Sequence, residues 1–150
     1  MSTSDAFDFE VVSTAGKFRL ADHRGHPVVL YFYPKDNTPG CTAQGAAFRD
    51  LHDEFRKAGA IVVGISRDSL RSHEGFRAKM AFPFELLSDA DEALSQRFGV
   101  IKQKKMYGKD VRGIERSTFV FDREGRIAKE WRGVKVPGHA DEVLAYVKTL

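Results

Sequence analysis

The sequence predicts an α/β layered domain, and three features carry that reading. Pro27 to Tyr33 (PVVLYFY) and Ala60 to Ile65 (AIVVGI) are unbroken β-branched and aromatic runs, the pattern of strands covered on both faces. Between them, Thr42 to Ala58 sets Phe48, Leu51 and Phe55 at helical spacing, which gives one apolar stripe. Strand and helix signals then keep alternating toward the C-terminus.

Taken in order, Ser69 to Met80 and Asp89 to Phe98 are expected to be helices, the second opened by Ser88 or Asp89 as its cap. The run Lys102 to Arg116 (KQKKMYGKDVRGIER) is the most basic part of the chain; it is expected to be a solvated loop with no specific partner, the alternative being a patch that attracts an anionic reductant or substrate. Ser117 to Phe121 is a third apolar strand. The Asp122–Gly125 turn, with Gly125 free to take positive φ, leads into a fourth at Arg126 to Trp131. Pro137-Gly138 precedes a last helix, His139 to Thr149, with Val143, Leu144 and Val147 on one side. No repeat, low-complexity tract or linker interrupts this, so residues 1–150 are expected to form a single domain.

Composition narrows the function classes. Hydrophobic residues make up 42% and charged residues 30%, a balanced globular mixture, and a net charge of +3 gives no reason to expect a nucleic-acid partner. No segment approaches the roughly 20 apolar residues of a membrane helix. The opening MSTSDAFDFE lacks a basic region followed by an apolar run, so a cytoplasmic protein is expected. The five histidines show no zinc-like spacing, and no glycine loop of the phosphate-binding kind follows a buried strand, so neither a metal nor a nucleotide is expected.

The chain has one cysteine, Cys41, which excludes an internal disulfide and leaves three roles: core filler, reactive nucleophile or intermolecular crosslink. Cys41 falls after a buried strand and at the start of a long helix, where unpaired N–H groups and the helix dipole favour the thiolate. Thr38 can offer a hydroxyl to the sulfur or to a bound oxygen. Pro34 and Pro39 restrict the loop, and Gly40 permits close approach of a ligand to the backbone. Local sequence alone leaves the inert and the reactive roles both open.

The spacing Pro34-x-x-x-Thr38-x-x-Cys41 resembles the peroxidatic-cysteine motif of peroxiredoxins. Tyr33-Pro34-Lys35, Thr38 to Thr42 and Phe48-Arg49-Asp50 are similar to the bacterioferritin comigratory protein (PrxQ) branch. So are Gly64-Ile65-Ser66 with Asp68, Leu86 to Asp89, Gly108-Lys109, Gly113 to Phe119 and Val134 to His139. The likeness is colinear from about Phe7 to Leu150. It implies a thioredoxin-like fold, a central mixed sheet flanked by helices, and a thiol-dependent peroxidase that needs no cofactor because the cysteine carries the electrons. It further implies catalytic roles for Cys41, Thr38 and Arg116, with Pro34 and Gly40 shaping the substrate pocket.

One departure matters. Many PrxQ proteins carry a second cysteine five residues after the first; here that position is Ala46. The resemblance is therefore to a 1-Cys variant, in which the oxidised Cys41 is resolved by an external thiol such as glutathione, thioredoxin or glutaredoxin. Gly45, a weak helix former beside it, is expected to ease unwinding of the first turns. The substrates implied are hydrogen peroxide and organic hydroperoxides, and the assembly implied is a monomer or weak dimer. Two rivals remain: general thiol–disulfide exchange, which normally uses a Cys-x-x-Cys pair absent here, and a redox-responsive holdase or sensor switched by Cys41 oxidation. Pro34, Thr38 and Arg116 together favour the peroxidase, because a mere switch does not require them.

Overall fold

In the computed structural model, which describes residues 7–150, the centre of the molecule is a seven-stranded sheet. The strands are β1 (Glu10–Ser13), β2 (Gly16–Arg19), β3 (Val28–Phe32), β4 (Ile61–Ser66), β5 (Glu85–Ser88), β8 (Ser117–Phe121) and β9 (Ile127–Arg132), in the spatial order β2-β1-β5-β4-β3-β8-β9. A separate two-stranded ribbon joins β6 (Ile101–Met106) to β7 (Lys109–Ile114). The helices are α1 (Pro39–Asp50), α2 (His52–Lys57), α3 (Leu70–Met80), α4 (Ala93–Arg97) and α5 (His139–Val147).

The buried runs form the sheet's centre. Strands β3, β4 and β5 are parallel neighbours, and β8 joins β3 antiparallel, with Leu30 opposite Val63 on one side and Phe119 on the other. All five residues of β3 are buried, as its unalternating sequence requires, because each face meets its own core. Val29, Tyr31 and Tyr33 point into one with Cys41, Phe48, Phe55, Phe76 and Val143. Val28, Leu30 and Phe32 point into the other with Phe98, Phe119 and Phe121.

Several boundaries differ from the sequence expectation. The long helix is two: Leu51, at φ −99° and ψ 4°, ends α1 and starts α2, and both Phe48 and Phe55 still reach one core with ring centroids 5.8 Å apart. Helix α4 begins at Ala93, not Asp89, because Glu92 takes φ 64°. Asp89 nevertheless acts as a remote cap, its carboxylate accepting from the N–H groups of Leu94 (3.0 Å) and Ser95 (2.8 Å). Strands β1, β2 and β5 carry four residues each and were not expected, being too short for a period to show. The basic stretch is a hairpin rather than a loop: Tyr107 and Gly108, at φ 54° and 78°, form the paired left-handed turn that suits twisted strands. No helix among the described residues is long and apolar enough to cross a membrane.

Gly45 has a packing reason for being glycine. A Cβ there would stand 2.3 Å from Cζ of Phe82, a buried ring stacked on Phe84 at 4.9 Å and set edge-on to Phe76 at 5.1 Å. Ring neighbours on two sides leave Phe82 little room to move. Gly45→Ala is therefore expected to destabilise: overpacking costs about 1–3 kcal/mol, against a helix-propensity gain of about 1 kcal/mol at most. A lower urea midpoint at unchanged slope is the result to look for, and a raised midpoint would contradict the packing account.

Candidate active site

The site grows from the link between β3 and α1. Tyr33 leaves the sheet with its backbone N–H on Ile65 O, and its hydroxyl donates to Asp36 at 2.7 Å. Asp36 is buried and is held from three sides. Its carboxylate accepts from Ser72 Oγ at 2.8 Å and lies 2.7 Å from His73 Nδ1, while its own N–H donates to Asp68 at 3.0 Å. His73 Nε2 lies 2.8 Å from the Leu87 carbonyl, so both ring nitrogens face oxygens. Asp36, Asp68 and His73 are close enough to share a cation, yet each of their facing atoms already has a hydrogen-bond partner. Their visible effect is to fasten the 34–38 loop to α3, β4 and β5. The sequence assigns these residues no role: Asp68 enters only with the family resemblance, and Asp36, Asp68 and His73 show no mutual spacing.

That fastening sets the first turn of α1. Asn37 takes φ 63°, Thr38 is the extended residue before the helix, and Pro39, Gly40 and Cys41 follow as its first three positions. Pro39 fits there because its missing N–H is one the helix would leave unpaired anyway. Thr38 does not cap the helix with its side chain; its hydroxyl donates to the Lys35 carbonyl at 2.7 Å. Its single proton is thereby committed, and the oxygen's lone pairs remain.

Cys41 is 2% exposed. Its Sγ lies 3.6 Å from Nη2 of Arg116, a residue 75 positions away in the segment between β7 and β8. The other arm of the guanidinium, Nη1, donates to Gln44 Oε1 at 2.5 Å. Gln44 stands one helical turn after Cys41, so its side chain shares that helix face. It is 1% exposed, and its Nε2 is the one buried polar side-chain atom without a partner among the described residues. A Cβ at Gly40 would sit 3.0 Å from the same Nη2, so the glycine leaves space for the arginine. Pro34, by contrast, is exposed at the bend after β3.

Around the thiol the sheet supplies apolar walls. Burial pushes the Tyr31 phenol well above its usual range, with the nearby acidic groups Cys41 and Asp36 adding to the effect and Arg116 opposing it. On the same side of the sheet as Phe48, His139 has its Nε2 2.8 Å from Thr118 Oγ1 and Trp131 edge-on to it, and burial lowers its pKa. It thus does more than serve the turn at the start of α5.

The mixed sheet flanked by helices is a thioredoxin-like fold, and a buried sulfur at a helix start, faced by a guanidinium, suits thiol chemistry. The model of the AhpC/TSA family matches residues 3–130. The chain is 55% identical to a peroxiredoxin Bcp of Xanthomonas campestris over 95% of its length and 89% of the relative's, and 46% identical to one of Bacillus subtilis over 95% and 92%. A solved Xanthomonas campestris peroxiredoxin Q covers 99% of this chain and 98% of its own at 50% identity and a TM-score of 0.91. Another solved structure, a bacterioferritin comigratory protein of that organism studied for alkyl peroxide reduction, aligns with a TM-score of 0.89 and 54% identity, covering 94% and 90%. The chain belongs to the AhpC/TSA family. Solved mutants of the Xanthomonas protein replace two different cysteines by serine, whereas this chain has only Cys41.

Proposed function

We propose that Cys41 is the peroxide-reducing thiol and that hydrogen peroxide and organic hydroperoxides are its substrates. The observation that carries this reading is the 3.6 Å contact between its sulfur and Arg116 Nη2 in the first turn of α1. The reacting form is the thiolate, and the guanidinium and the first-turn N–H groups are the polar groups placed beside it. It attacks one peroxide oxygen in line with the O–O bond. The S–O bond forms, the O–O bond breaks, and sulfur gives up two electrons. The departing oxygen takes up a proton and leaves as water or alcohol, with sulfenic acid left on Cys41.

Arg116 sits where charge passes from sulfur to oxygen, and its fork engages Gln44 and the sulfur together. Thr38, its proton held by Lys35, accepts the peroxide O–H and orients the substrate. Gly40 keeps the approach open, and Pro34 guards the mouth of the loop. With Ala46 where a resident partner would stand, an external thiol attacks the sulfenic acid and water leaves, giving a mixed disulfide. A second thiol then frees Cys41 and leaves the donor oxidised. Glutathione, a thioredoxin or a glutaredoxin would serve, in keeping with a one-domain cytoplasmic protein acting as a monomer or weak dimer.

Stopped-flow fluorescence with stoichiometric peroxide tests this. Oxidation far faster than that of free cysteine at the same pH, then reduction by one of these donors, is the expected course. Oxidation no faster than that of free cysteine would remove the assignment.

A further inference from the structure

We propose that one face of the β6–β7 hairpin is the docking surface for an acidic protein thiol, the donor that reduces oxidised Cys41; this rests on the external-reductant reading above. The hairpin is unusual first in having so little of its own to bury. It pairs with no strand of the main sheet, and along β7 only Ile114 is buried. A free two-stranded ribbon is marginal in water, so core packing does not explain its length.

Its charge is equally concentrated. Residues 102–112 hold five of the 24 basic residues and one of the 21 acidic ones, a local charge of +4; the rest of the chain is net −1. The register sorts these charges by face. Lys105 lies opposite Asp110, and Arg112, on the same face, shares Glu92 with Arg67, so each hairpin cation of that side is balanced by an acid beside it. On the other face stand Lys102, Lys109 and Val111. Neither lysine has an ion-pair partner among the described residues, and Val111 is 39% exposed. Tyr107 at the tip is 98% exposed, a rigid aromatic of the kind enriched at protein contacts. A cationic strip with an apolar centre and an aromatic tip fits a protein's acidic face better than a small thiol.

Continuity with the reacting centre fixes the role. Strand β7 runs on through Glu115 to Arg116, which touches Cys41. Val111 to Arg116 spans about 17 Å at about 3.3 Å per residue. A partner footprint of about 800 Å² covers both the strip and the mouth of the site.

The test compares single-turnover reduction of peroxide-oxidised protein by an acidic thioredoxin, by glutathione and by dithiothreitol. Lys102→Gln/Lys109→Gln is expected to slow the thioredoxin reaction about tenfold at low salt and to flatten its salt dependence. Lys105→Gln, on the balanced face, is expected to stay within about twofold, as are all rates with dithiothreitol and with glutathione. Equal loss in both variants, or no loss in the double variant, would overturn the proposal, as would a loss seen with glutathione instead. Slow oxidation by peroxide in the unaltered protein would instead count against the peroxidase reading, which keeps the two failures distinct.

Discussion

Cys41→Ser is expected to give a folded protein with no measurable peroxide turnover. The hydroxyl is not ionised at neutral pH, and oxygen cannot accept the oxygen atom that sulfur accepts, so both the attack and the sulfenic product are lost. The side chain is nearly isosteric, but Cys41 also packs with Tyr31 and Phe48 in one core. Exchanging sulfur for a buried hydroxyl there is expected to cost about 1–3 kcal/mol if the hydroxyl finds no partner. Peroxide consumption and the urea midpoint should therefore be read together. Turnover surviving in a folded serine variant would remove Cys41 from the reaction.

Arg116→Met is expected to lower the rate of Cys41 oxidation by about 10²–10³-fold, the usual cost of one fixed donor at a site of developing charge. The change removes the cation 3.6 Å from the sulfur and takes from Gln44 Oε1 its only hydrogen-bond partner among the described residues. Arg116→Lys is expected to recover little, because an ammonium has no planar fork to hold Gln44 and the sulfur at once. An Arg116→Met protein oxidised at the unaltered rate would place the charge of this residue outside the mechanism.

The parts of the molecule readable from sequence are those where one local signal dominates. PVVLYFY and STFVF have no polar face to hide, and they are the two strands hydrogen-bonded in register at the sheet's centre. The short strands gave no such signal, since ELLS at residues 85–88 is a strand only because β4 and β1 lie on either side of it. The lysine-rich hairpin failed for the opposite reason: its turn residues fit, but low β-propensity and constant polarity hid the strands on both sides. At the site, the first turn of α1 follows from Pro39-Gly40 after a strand. The approach of Arg116, 75 residues away, follows from no local pattern and entered only through family resemblance. The Asp36–His73 anchor was invisible because its members meet only once α3 packs under the loop. Gln44 could have been found from its one-turn spacing to Cys41.

In the proposed reaction Cys41 receives one oxygen atom and finds no second cysteine within its own chain. Intact mass spectrometry after one equivalent of hydrogen peroxide, with a dimedone trap and peptide mapping, tests that claim most directly. The predicted result is a monomer carrying one added oxygen, trapped as a dimedone adduct on Cys41 alone, and returned to its starting mass by added thiol without dimedone. Recovery of the thiol unmodified after the peroxide equivalent has been consumed, or oxygen placed elsewhere in the chain, would contradict it.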